Sequence, residues 1–98
     1  MYQIFITPEA IEHMGIAGLT KVLLSHIREG EEIGYSAFTI ISLVGVSNLQ
    51  LGNILKPVFH KTKASLIVMS HIAREKLPEL LEDSEVVTRY LDVEFSQN

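Results

Sequence analysis

Three times along this chain an apolar run stops at a hydroxyl residue and gives way to a segment with helical spacing. Tyr2 to Ile6 ends at Thr7, Ala37 to Val46 ends at Ser47, and Ser65 to Met69 ends at Ser70. The repetition constrains the fold because the first turn of a helix leaves four backbone N–H groups without partners, and a Ser or Thr oxygen at the N-cap accepts one of them. Pro8 follows Thr7 at the first helical position, where a missing N–H is no loss, and Glu9 and Glu12 lie near the positive end of the helix dipole. Gln50 stands three residues after Ser47, the spacing of a capping box. The chain thus reads as strand, cap, helix, three times over.

The segments after the caps carry the period of a helix with one buried face. Leu51, Ile54, Leu55 and Val58 form one stripe, and Ile72, Ala73, Leu77, Leu80 and Leu81 form another. The first helix, about Pro8 to Arg28, is apolar over a wider arc through Ile11, Met14, Leu19, Val22, Leu23 and Ile27. Gly15 and Gly18 each weaken it by roughly 1 kcal/mol relative to Ala, so a bend or break is expected there. Pro57 and Pro78 each remove a helical N–H, which predicts a kink or restart in the second and third helices. After Glu85 the pattern changes to alternation, Leu91, Val93 and Phe95 against Tyr90, Asp92 and Glu94, which predicts a fourth strand over Val87 to Phe95. The expected architecture is a single α/β domain, βαβαβαβ, with a mostly parallel four-stranded sheet flanked by helices. The continuous apolar runs, Phe38 to Val44 and Leu66 to Met69, read as strands covered on both faces.

Composition narrows the class. At 98 residues the chain makes one small domain, and no linker, repeat or low-complexity tract divides it. With 47% apolar residues, 20% charged residues and no cysteine, it fits neither a disordered segment nor a disulfide scaffold nor a thiolate zinc site. Adding the six glycines to the apolar share gives about 53%, above the roughly 45 to 50% of ordinary domains, and this surplus points to self-association or a protein partner. A net charge of −4 argues against a nucleic-acid or anionic-membrane role for the surface as a whole; only Lys56, His60, Lys61 and Lys63 form a local basic group. Ile33 to Leu55 carries no charge, yet Ser36, Thr39, Ser42, Ser47, Asn48, Gln50 and Asn53 interrupt it, so a buried strand is expected there rather than a membrane span. The N-terminus has neither a basic stretch nor a small-residue cleavage site, which gives the expectation of a cytoplasmic protein.

The middle of the chain admits a second reading. Ala37 to Leu55 resembles a helix-turn-helix, with Ile40, Val44, Val46, Leu51 and Ile54 at the usual apolar positions and Gly45 at the turn. Upstream, Ile27-Arg28-Glu29-Gly30-Glu31-Glu32 is similar to the helix end and acidic loop that precede the motif in winged-helix and AraC-type regulators. That resemblance implies a mainly α-helical fold with a C-terminal strand and a DNA-binding regulator whose Asn48, Gln50, Asn53 and Lys56 face the nucleic acid. Ile41 departs from the motif where a small residue is usual, Asn48 to Lys56 holds a single cation, and the β-branched content of Ala37 to Val46 favours a strand.

In an open parallel sheet, ligands sit beyond the carboxyl ends of the strands, where helix N-termini offer free N–H groups. The α/β reading gathers Thr7, Ser47, Asn48, Ser70 and His71 there as candidate ligand-binding residues for a small anion, against the plainer reading that the hydroxyls only cap helices. No Gly-rich phosphate loop supports the former. The four histidines lack partners at metal-ligand spacing, Glu9 and Glu12 suit a helix start better than acid–base work, and no nucleophilic constellation can be assigned. No catalytic residue, metal site or cofactor is therefore expected. The amphipathic last strand, with Arg89, Leu91, Val93 and Phe95, is a candidate interface if it lies at a sheet edge. The function expected from these features is a small cytoplasmic interaction or regulatory subunit acting through protein–protein contacts, with the DNA-binding regulator and the small-anion sensor as alternatives. Because much of the apolar surplus lies in two runs that read as sheet interior, the contact surface is expected on the first helix and the last strand.

Overall fold

Residues 2–80 and 87–90 are described by a computed structural model of the chain. Strand β1 (Tyr2–Ile6) leads through Thr7 into α1 (Pro8–Glu32), β2 (Ala37–Leu43) into α2 (Asn48–Lys61), and β3 (Ser65–Ile72) into a 3-10 turn (Arg74–Lys76) and the single-turn α3 (Leu77–Leu80). The three strands form an all-parallel sheet in which β1 pairs with β2, Ile4 facing Ile40, and β2 pairs with β3, Ile40 facing Val68. This βαβαβ unit with two main helices is the body of the domain. A short strand β4 (Val87–Tyr90) lies parallel to β1 on its other side, giving the order β3-β2-β1-β4. Leu81 and the Leu91 to Phe95 part of the expected final strand fall outside the described residues.

Alternation along the strands decides which face each helix covers. Tyr2, Ile4 and Ile6 of β1 and Phe38 and Ile40 of β2 pack with Leu19, Leu23 and Ile27 of α1 and with Ile54 and Val58 of α2. Both crossover helices therefore lie on one face, as two successive right-handed βαβ connections stepping the same way require. The opposite face carries Phe5, Ile41 and Leu43, which pack with Leu77 and Ile72. Thr20 ties the two helices together, its Oγ1 lying 2.8 Å from the Ile16 carbonyl and 3.3 Å from that of Ile54.

The caps form where local sequence dictates them. Thr7 Oγ1 accepts from the Ala10 N–H at 3.0 Å, and Ser47 and Gln50 form the reciprocal capping box, at 3.1 and 3.0 Å. The break expected in the first helix falls at Gly15, whose φ of 73° and ψ of 168° belong to a region that only glycine occupies readily. α2 continues through Pro57, and Pro78 lies within α3.

Four expectations are corrected. Ala37–Leu43 is a strand, so the helix-turn-helix with its mainly α-helical fold does not form: the β-branched run pairs with β1 and β3, and Gly45 turns a strand into a helix. Ser70 is not a cap. It stays within β3, which runs on to Ile72 because the register slips between Ile41–Met69 and Leu43–Ile72, placing one extra residue on the β3 side. His71 takes the left-handed φ of 57° there. The helical stripe expected from Ile72 onward is consequently cut short, with Ile72 in the strand and one 3-10 turn before α3. Finally, β3 is not buried on both faces: Ile67, Val68 and Met69 are 58%, 38% and 37% exposed, because β3 is the outermost strand of the sheet.

Candidate functional site

The turns after β1, β2 and β3 converge at the carboxyl ends of the parallel strands, bringing Thr7, Ser47, Asn48, Ser70 and His71 to one edge. What joins them there is mostly structural. The Thr7 and Ser47 oxygens are engaged as caps, while Asn48 Oδ1 lies 3.0 Å from His71 Nε2, closing the end of β3 against the start of α2. Ser70 is exposed on the strand. Gly45, with φ of 104°, lets this edge close: a Cβ there would sit 2.6 Å from the Pro8 ring. Below it, Ser42 is fully buried, and among the described residues its hydroxyl has no hydrogen-bond partner, a feature that no local sequence pattern announces.

The same edge carries an ion pair between elements. Arg74, in the 3-10 turn after β3, donates to the Glu9 carboxylate in the first turn of α1. Burial raises the Glu9 pKa, but the hydrogen bond from Arg74, a bond from its own backbone N–H and the guanidinium charge together hold it below the ordinary carboxylate value. Among the described residues no group of three or more His, Cys, Asp or Glu side chains is placed to hold a metal ion.

Of the residues that the helix-turn-helix resemblance marked, Asn48 binds His71, Gln50 completes the capping box and Asn53 is exposed. Lys56 lines a groove along α2. These are helix-surface residues following a strand, without the preceding helix that a recognition helix packs upon. Arg89 lies in β4, in register with Ile4, and Leu91, Val93 and Phe95 fall outside the described residues.

The surface that stands out is one that the sequence reading placed in the interior. β3 borders the sheet, and from Ala64 to Ala73 it contains no Lys, Arg, Asp or Glu. Native edge strands are usually blunted by charge, proline, brevity or a bulge; β3 is eight residues long and carries no charge or proline, its one irregularity being the extra residue near His71 at the carboxyl end. Beside it, α2 presents an open groove of about 430 Å³ lined by Leu55, Lys56, Phe59, His60 and Asn48, with Phe59 53% exposed. Asn48 belongs to this groove and also bonds His71, so one end of the groove abuts the end of the edge strand. Among the described residues no strand pairs with the outer side of β3, and this edge, its apolar side chains and the adjoining apolar groove together make a surface that can accept an extended chain. The signal for it in the sequence was the same apolar run read as core; what was missing was the strand order. Among the described residues no helix is long and apolar enough to cross a membrane. No protein-family model, curated protein or solved structure matches this chain.

Proposed function

We propose that this chain is a small, non-catalytic interaction or regulatory subunit that works by offering the open edge of β3 to a strand of another polypeptide. In this reading the sheet is a four-stranded, mostly parallel βαβαβαβ layer whose partner-binding border is β3. The observation that carries it is the exposure of Ile67, Val68 and Met69 on an uncharged edge strand. Burying those side chains contributes about 25 cal/mol per Å² of apolar surface, while main-chain bonds along the edge fix the partner's register. The apolar surplus of the composition is thereby given a location.

The test is photocrosslinking in cells that produce the protein, with a photoreactive phenylalanine analogue in place of Ile67 and, as a control, in place of the exposed Glu12 of α1. A discrete protein adduct is expected from position 67 and none from position 12. Equal labelling at the two positions, or no adduct at 67, would remove the proposal.

A further inference from the structure

We draw no further inference here: the strongest candidate, the open apolar groove along α2 lined by Leu55, Lys56 and Phe59, adjoins the surface already described, and nothing in the structure shows what covers it.

Discussion

Gly45 shows how one residue sets the geometry of the carboxyl edge. Its φ of 104° lies where a side chain is strained, and the Pro8 ring fills the space a Cβ would need. Gly45→Ala combines both penalties and is expected to lower unfolding stability by about 1 to 3 kcal/mol, read as a lower urea midpoint with an unchanged slope. A midpoint within error of the native chain would show that the turn relaxes without strain. Single residues also mark what sequence reading can reach. Thr7 and Ser47 are legible as caps because a cap involves only the next three residues of the chain. Ser70 has the same local setting and yet does not cap, because its backbone is held in β3 by pairing with β2, and the extra residue is absorbed at His71. That outcome depends on a neighbour some 30 positions away, which no window around Ser70 contains.

At the scale of elements, the first two strands and both main helices are visible in the sequence, since hydrophobic period and caps agree for each. The break at Gly15 is visible too. The neighbours of each strand are not. An apolar run such as Leu66 to Met69 reads the same for a central strand as for an edge strand left open, and only the order β3-β2-β1-β4 shows it to be the latter. The apolar pattern accordingly points to the first helix and the last strand as the contact surface, and not to β3. Contacts between elements also set the behaviour of Glu9, which α1 presents to Arg74 beyond β3. Because the folded pKa lies below the ordinary value of 4.5, this pair stabilises the fold above that pH and loses its effect as the pH falls through the folded pKa. Both side chains are about half exposed, so the contribution is small and salt-sensitive. Arg74→Ala should move the Glu9 carboxyl titration upward toward 4.5, followed by NMR. An unmoved titration would mean that Arg74 does not hold Glu9 in solution.

For the molecule as a whole, asymmetry is the informative property. One face of the sheet is sealed by α1 and α2, part of the other is covered through Leu77, and the β3 border is left with apolar side chains and no charge. The composition announced a surplus of apolar residues without locating it; the fold puts part of it at this border. The central claim is that the β3 border is open in the isolated chain and closes on association. Site-resolved amide hydrogen exchange measures this directly, because alternate N–H groups of a border strand point away from the sheet. The outward amides between Ser65 and Ile72 are expected to exchange quickly in dilute solution and to become protected in the associated state, while those of β1 and β2 stay protected in both. Protection of every β3 amide in the dilute chain, or no gain on association, would contradict the account.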